Sequence, residues 1–177
     1  MPHRLSITIT SPLDLLRELF TTRGAGTLIR RGAVISRYTD FAAISLPKLR
    51  DLIESAFHRR LVHGFFDRPI DSVYLADDYR GVGIVSNTEQ GPYLSKFAVD
   101  RRAQGEGVGR DLWRALVRDH QTLLWRSRPD NPIAAWYQQQ CDGMVRAGMW
   151  LVFWRGLPHS RLSAAIELAL AAPPDFE

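Results

Sequence analysis

The sequence predicts a mixed α/β (α+β) fold, in which a mostly antiparallel sheet contains one parallel strand pair and carries helices on both faces. Two observations predict it. Short apolar, β-branched runs in the middle of the chain are separated by turns, as in antiparallel sheets. A glycine-rich stretch then leads from one strand through a helix to another strand, a crossover that makes the two strands parallel. The 177 residues suffice for one domain with a continuous core.

The N-terminal part of the chain carries a strand signal followed by a helix signal. Residues 6–10 have strand composition, and Ser11-Pro12 supplies an N-cap and a first-turn proline for a helix over 12–21. We interpret residues 1–22 as an N-terminal segment and candidate linker remnant, and residues 23–177 as the domain.

A hairpin and a helix open the predicted domain. Residues 27–30 and 33–38 flank the turn Arg31-Gly32 and predict the hairpin. Residues 47–60 predict the helix, because apolar side chains recur there at helical spacing. The side chains expected on its buried face are Leu49, Leu52, Ile53, Ala56 and Phe57.

The centre of the chain predicts the rest of the sheet. Strands over 72–77, 81–86 and 92–99 form its antiparallel half, and a helix over 108–118 leads to a strand over 122–127. The strands 92–99 and 122–127 are therefore parallel, and we expect a ligand outside their carboxyl ends. The later elements are a helix over 133–140, strands over 143–146 and 149–155, and a helix over 160–171 with Leu162, Ile166 and Leu170 on its packing stripe.

The glycine-rich turn is the clearest binding signal. Gly105, Gly107 and Gly109 allow positive φ and close approach of a ligand, and the helix that starts there directs its dipole at the same point, which favours a diphosphate. A tight strand-to-helix connection is the alternative interpretation. The spacing Gly-x-Gly-x-Gly does not match the Gly-x-Gly-x-x-Gly of a dinucleotide-binding turn.

Composition excludes several classes. The net charge is +4, 21 of the 23 basic residues are arginine, and there is no dense basic run, so we expect no nucleic-acid partner. No apolar run approaches the roughly 20 residues of a membrane span, and the N-terminus lacks the core of a signal peptide. Cys141 is the single cysteine, which favours a reducing compartment and a cytoplasmic location. We expect no metal.

The motifs after residue 92 resemble a known family. The turn resembles the acetyl-CoA loop of GNAT acyltransferases, and the set as a whole is similar to the acetyltransferase domain of N-acetylglutamate synthases of the vertebrate-like and bifunctional synthase/kinase group. The motifs are Lys96-Phe-Ala-Val, Arg102-Ala-Gln-Gly-Glu-Gly107, Trp125-Arg-Ser-Arg128, Asn131-Pro, Trp136-Tyr137, Asp142-Gly143 and Phe153-Trp-Arg-Gly-Leu157.

The resemblance implies a GNAT fold whose parallel strands splay around acetyl-CoA, and an enzyme that acetylates the α-amino group of L-glutamate in arginine biosynthesis. It implies two substrates, acetyl-CoA and glutamate, with an amino-acid kinase domain in the full-length protein and a candidate homo-oligomer. The residues that would bind the cofactor are Ala98, Val99, Gln104, Gly105, Glu106, Gly107, Val108, Gly109, Arg110, Asn131 and Tyr137.

A dicarboxylate needs cations, and an arginine fork suits a carboxylate. Arg126 and Arg128 stand two apart in a strand, so both point to one side of the sheet, although solvent exposure would explain them equally well. Lys96 is one of only two lysines and lies in a largely apolar strand. By resemblance these three cations, with Phe97 and Asn131, bind glutamate.

For the chemistry we expect direct attack of the amine on the thioester. By resemblance, Tyr137 is the candidate general acid for the thiolate, Lys96 joins the catalytic set, and an N–H near residues 97–99 would donate to the oxyanion. No residue is assigned as base. An acetyltransferase for another amine and a non-catalytic acetyl-CoA sensor remain alternatives.

Overall fold

The computed structural model of the protein describes residues 6–16, 27–30 and 32–177. The chain divides into two compact units, Met1–Gly32 and Ala33–Glu177. The boundary expected after residue 22 lies outside the described residues. In the first unit, β1 (Ser6–Ile9) pairs antiparallel with β2 (Thr27–Arg30).

The helix predicted over residues 12–21 is only partly described. A 3₁₀ turn, Pro12–Asp14, follows Ser11, whose hydroxyl accepts a hydrogen bond from the Asp14 N–H at 3.2 Å, so the predicted cap is present. Residues 17–21, the rest of the predicted helix, lie outside the described residues.

The predicted hairpin between residues 27–30 and 33–38 is wrong. The second of these segments forms β3 (Ile35–Tyr38), which pairs with β4 (Ser72–Ala76), with Ile35 opposite Ala76. Turn residues in a sequence predict that the chain changes direction, but they do not determine which strands pair. The pairing of β3 also lets Ile35 pack against the main core, which a local hairpin would not provide.

The second unit contains one seven-stranded sheet in the order β3-β4-β5-β6-β7-β9-β8. All neighbouring strands are antiparallel except β6 and β7, as predicted. The remaining strands are β5 (Gly81–Thr88), β6 (Gly91–Val99), β7 (Leu123–Ser127), β8 (Gly143–Ala147) and β9 (Trp150–Arg155), and the helices are α1 (Leu46–Phe57), α2 (Val108–Asp119), α3 (Ala134–Gln140) and α4 (Leu162–Ala171).

Helices cover both faces of this sheet, which confirms the predicted layering. On one face, α2 and α3 pack over an aromatic-rich cluster. On the other face, α1 covers the β4–β6 region and α4 covers the β7–β9 region. Burial of apolar surface on both faces explains why the central strands are almost continuously buried.

Two helices differ in detail from the prediction. The helix α1 ends at Phe57 instead of residue 60, because His58 adopts a left-handed conformation with φ 53°. In α4 the fully buried side chains are Ala165 and Ala169, while Leu170 is exposed. Small side chains let this helix lie close to the sheet, so the larger leucines flank the contact.

The parallel pair is very short. Tyr93 pairs with Leu124 and Leu94 with Trp125, and the two strands then part. At the same point β6 contains a β-bulge: Ile84 of β5 faces Lys96, whereas Val85 faces Leu94, so the intervening Ser95 has no partner.

The bulge reverses the alternation of side chains along β6. Leu94 and Phe97 lie in the same buried cluster under α2, although three positions separate them. Lys96 is therefore turned to the opposite face of the sheet, on the side covered by α1. The fold thus places an opening between two strands and a lysine beside it.

Candidate active site

The opening between β6 and β7 leaves main-chain groups of β6 without a partner strand. The Asp100 N–H donates to the Arg80 carbonyl in the direction of β5 at 2.9 Å. By alternation, the N–H and C=O groups of Phe97 and Val99 face the opposite side, where β7 has moved away. These groups can bind an amide-containing ligand and can donate to an oxyanion.

The glycine-rich turn lies at the end of β6. Gly105 and Gly107 have φ angles of +82° and +87°, as predicted for a turn that needs left-handed residues. Gly109 differs, because it lies inside α2, and a Cβ there would meet Val99 at 3.4 Å. Its lack of a side chain serves close packing between helix and strand.

The start of α2 is open to an anion. Its first helical hydrogen bond runs from the Asp111 N–H to the Gly107 carbonyl at 3.0 Å, and Gly107 provides no side-chain cap. The N–H groups of Val108, Gly109 and Arg110 therefore point out of the helix end. The Gln104 N–H donates to Arg101 within the turn, so the helix end is the stronger anion site.

Tyr137 lies in a cluster of aromatic rings beside the opening. Its ring centroid is 6.3 Å from that of Phe97 and 5.7 Å from that of Trp125, so the helix α3 brings it to the point where β6 and β7 part. Burial raises the pKa of the Tyr137 phenol, which therefore stays protonated. Its hydroxyl makes no hydrogen bond to any described residue, so this neutral phenol is free to donate a hydrogen bond to a ligand.

Lys96 is buried on the other face, with 3% of its surface exposed. Its ammonium donates to the Ser95 carbonyl at 2.9 Å and to the Asp175 carboxylate, and it lies over the rings of Phe65 and Phe176. Burial lowers its pKa to about 8, although the charge of Asp175 opposes this shift.

Arg126 and Arg128 point to the same side of the sheet, as predicted, and both lie over the ring of Trp150. Their surroundings differ. Arg126 donates to carbonyls at the end of α4, with its Nη1 2.7 Å from the Ala169 oxygen, whereas Arg128 is exposed and pairs loosely with Asp130 at 3.8 Å. Of these two guanidinium groups, Arg128 is the more accessible to a ligand.

Asn131 precedes α3, as predicted. Its side-chain oxygen accepts from the Ile133 N–H at 3.2 Å and its carbonyl accepts from Ala134, so it shapes the turn into the helix. It is three residues beyond Arg128, on the same side of the opening as the end of β7.

Two charged residues beside Lys96, namely Arg68 and Asp175, were not predicted from the sequence. The Asp175 carboxylate is held by Lys96 and by Arg68, whose Nη1 lies 2.6 Å from Asp175 Oδ1. Both lie in loops far from Lys96 in sequence, and neither belongs to a recognisable motif. Only the folded arrangement brings them together.

Within the described part of the chain, no three His, Cys, Asp or Glu side chains lie close enough together to hold a metal ion. Among its helices, none has both the length and the apolar character that crossing a bilayer requires.

Solved structures from acetyltransferase families share this fold. A protein assigned to the GNAT acetyltransferase family from Desulfovibrio desulfuricans superposes with a TM-score of 0.53 at 16% identity, covering 69% of this chain and 98% of its own. N-acetylglutamate synthase from Neisseria gonorrhoeae, solved with coenzyme A and N-acetyl-glutamate, gives a TM-score of 0.52 at 18% identity, covering 82% of this chain and 40% of its own. The chain has the GNAT fold.

The family follows from the sequence comparisons. Residues 36–169 match the family described as NAT, the N-acetyltransferase of N-acetylglutamate synthase. The chain is 42% identical over 160 residues to acetylglutamate kinase of Xylella fastidiosa, and 36% identical over 167 residues to the mitochondrial N-acetylglutamate synthase of Homo sapiens. These matches cover 90% and 91% of this chain. The chain belongs to the NAT domain family of N-acetylglutamate synthase.

The match covers only part of each relative. The chain spans 38% of the Xylella protein and 31% of the human protein. The family relationship therefore concerns one domain of longer proteins.

Proposed function

We propose that this chain transfers the acetyl group of acetyl-CoA to the α-amino group of L-glutamate, giving N-acetyl-L-glutamate for arginine biosynthesis. The observation that carries the proposal is the opening between β6 and β7, which has an uncapped helix end on one side and cations on the other. The description of the matching family and the name of the human relative agree with this activity.

Acetyl-CoA would lie in the opening. The unpaired main-chain groups of β6 would bind its amide-containing arm as an added strand would, and the start of α2 would hold its diphosphate. The residues proposed to contact the cofactor are Ala98, Val99, Gln104, Gly105, Glu106, Gly107, Val108, Gly109, Arg110, Asn131 and Tyr137.

Glutamate would bind with its two carboxylates among the cations near Trp150 and Phe65. Arg128 is the exposed cation there. Lys96 and Arg126 add positive charge, although each already donates hydrogen bonds to other groups of the protein. Phe97 and Asn131 complete the proposed acceptor set through main-chain and side-chain contacts.

The acetyl group passes directly between the two bound substrates, without an acyl-enzyme. The neutral amine attacks the acetyl carbonyl carbon, an N–H group of Phe97 or Val99 stabilises the oxyanion, and the C–S bond breaks as Tyr137 donates a hydrogen bond to the thiolate. Burial raises the pKa of the Cys141 thiol, which does not favour an acyl-enzyme through that residue. The proton acceptor for the amine is not assigned to a side chain.

The full-length context is also proposed. The chain spans 38% of relatives that are named acetylglutamate kinase. We therefore propose that an amino-acid kinase domain accompanies it in the complete protein, which we expect to be oligomeric. A reducing compartment such as the cytoplasm fits the free Cys141.

The test uses the purified chain with acetyl-CoA and a panel of amino acids, with release of CoA thiol as the signal. We expect glutamate to give the highest kcat/KM and mass spectrometry to identify N-acetyl-glutamate. Turnover that is fastest with another amine would assign a different acetyltransferase. Calorimetric binding of acetyl-CoA without turnover on any acceptor would identify a sensor, and no affinity for CoA would refute the site itself.

A further inference from the structure

Asp175 provides the carboxylate that pairs with the buried Lys96 ammonium. Its two carboxylate oxygens divide between two cations: Oδ2 accepts from Lys96 and Oδ1 from Arg68, at 2.6 Å for the latter. Arg68 also donates to the Pro174 carbonyl at 2.9 Å. The carboxylate is therefore fixed from two directions.

The segment that carries Asp175 is itself anchored to the domain. The Val62 N–H donates to the Asp175 carbonyl at 3.1 Å, and Leu61 and Phe176 form a β-bridge. The ring of Phe176 packs on Phe57, with centroids 4.9 Å apart. These contacts hold Asp175 in a fixed position in the folded domain.

Lys96 keeps one hydrogen-bond donor for a further partner. An ammonium group has three N–H donors, and two of them reach Ser95 and Asp175. The rings of Phe65 and Phe176 cover the group at 5.2 Å and 5.1 Å from their centroids. Such surroundings stabilise a cation only while a carboxylate stays beside it, because burial itself favours the neutral amine.

We propose that Asp175 is a positioning residue for the acceptor: it keeps Lys96 charged and holds the remaining ammonium donor toward a carboxylate of the incoming acidic amino acid. This inference rests on the proposed function. The opposite possibility, that Asp175 competes with the acceptor carboxylate for Lys96, predicts effects of opposite sign and is an outcome of the test.

The pH dependence follows from the groups around Lys96. Asp175 raises its pKa, whereas burial and the charges of Arg68 and Arg126 lower it, to about 8. The neighbouring Tyr93 phenol is neutral in this range, because burial raises its pKa to about 12. Removing the negative charge of Asp175 must therefore lower the pKa of Lys96. Lys96 would then lose its proton at a lower pH.

The first experiment measures this pKa without using activity. The chain has two lysines, Lys48 and Lys96, so ¹³Cε-labelled lysine gives two NMR signals, and the exposed Lys48 is an internal control. In Asp175→Asn we expect the Lys96 pKa to fall by about one or more, with Lys48 unchanged. An unchanged Lys96 pKa would overturn the proposal.

The second experiment measures steady-state kinetics with glutamate at saturating acetyl-CoA between pH 6 and 9. In Asp175→Asn we expect the glutamate KM to rise about tenfold at pH 8 and less at pH 6, with acetyl-CoA affinity unchanged, because a charge-assisted hydrogen bond is lost. The control is Glu177→Gln, which also removes one negative charge from this segment. The side-chain carboxylate of Glu177 contacts neither Lys96 nor Arg68. We expect wild-type kinetics from it.

Kinetic results of two kinds would count against the proposal. A lower glutamate KM in Asp175→Asn would identify Asp175 as a competitor. A rise in KM that is equal at every pH, or that is accompanied by weaker acetyl-CoA binding, would assign it a structural role. If Asp175→Asn does not fold, Asp175→Glu must retain the wild-type pH profile of KM. Wild-type chain that does not acetylate glutamate would refute the proposed function, and the NMR titration would still decide whether Asp175 controls Lys96.

Discussion

Replacing Tyr137 by Phe removes one oxygen atom at the edge of an aromatic cluster. The ring of Tyr137 packs against Phe97, Trp125 and Phe153, with centroid distances of 6.3, 5.7 and 5.6 Å. Its hydroxyl makes no hydrogen bond to any described residue, so the substitution keeps the ring contacts and removes no internal hydrogen bond. The substitution should therefore leave the free energy of unfolding nearly unchanged and lower kcat.

The expected magnitudes follow from this geometry. Because no hydrogen bond is lost, the free energy of unfolding should change by less than about 0.5 kcal/mol, and Tm by less than about 2 °C. General acid catalysis typically contributes about 10²–10⁴-fold. Burial raises the pKa of Tyr137 further above the value of about 8.5 typical of a thiol, which makes complete proton transfer uphill. We therefore expect kcat to fall about 100-fold, at the lower end of that range.

The assay is initial-rate CoA release with both substrates varied, together with thermal unfolding. Both KM values should stay within about twofold of wild type, because the hydroxyl acts chiefly in the transition state. Tyr74→Phe is the matched control: the Tyr74 hydroxyl donates to Asp119 at 2.9 Å, away from the opening, so this variant should lose about 1 kcal/mol of stability and no activity. An unchanged kcat in Tyr137→Phe would refute the assignment.

Three further substitutions separate binding from folding. Arg128→Ala should raise the glutamate KM with little loss of stability, because this exposed side chain has a loose ion pair with Asp130 and only weak contacts with the Met149 sulfur and the Trp150 ring; equal loss of acetyl-CoA affinity in calorimetry would contradict this. Arg126→Ala should lower stability by about 2 kcal/mol, because it removes charged donors from the carbonyls at the end of α4; an unchanged Tm would show that these bonds contribute nothing. Gly107→Ala should weaken acetyl-CoA binding more than glutamate binding, since φ +87° costs a non-glycine residue about 1 kcal/mol and distorts the start of α2. Wild-type acetyl-CoA affinity in this variant would argue against a diphosphate at the helix end.

Periodicity predicted most elements of the second unit because their apolar faces are buried. The helix α2 carries Val108, Leu112 and Leu116 at helical spacing, and all three are almost completely buried. The parallel arrangement of β6 and β7 followed from the connection through this helix. The pairing of β3 with β4 could not be predicted from the sequence. The partner strand is more than thirty residues away, and no local sequence pattern identifies it.

The site was predictable where local rules apply and not where tertiary contacts decide. The positive φ angles of Gly105 and Gly107 and the turn at Asn131 are local properties. The side of the sheet on which Lys96 lies depends on the bulge at Ser95, which strict alternation does not anticipate. Its partner Asp175 lies 79 positions away along the chain, so no pattern in the sequence connects the two.

The short contact between β6 and β7 also has a mechanical consequence. Two residue pairs are the whole ladder between a four-stranded half-sheet, β3-β4-β5-β6, and a three-stranded one, β7-β9-β8. This ladder has the fewest paired residues of any in the sheet, so twisting of one half against the other at this seam would break few backbone hydrogen bonds. A molecule that bridges the seam would stiffen it, and amide hydrogen exchange in β7 should slow when the seam is filled.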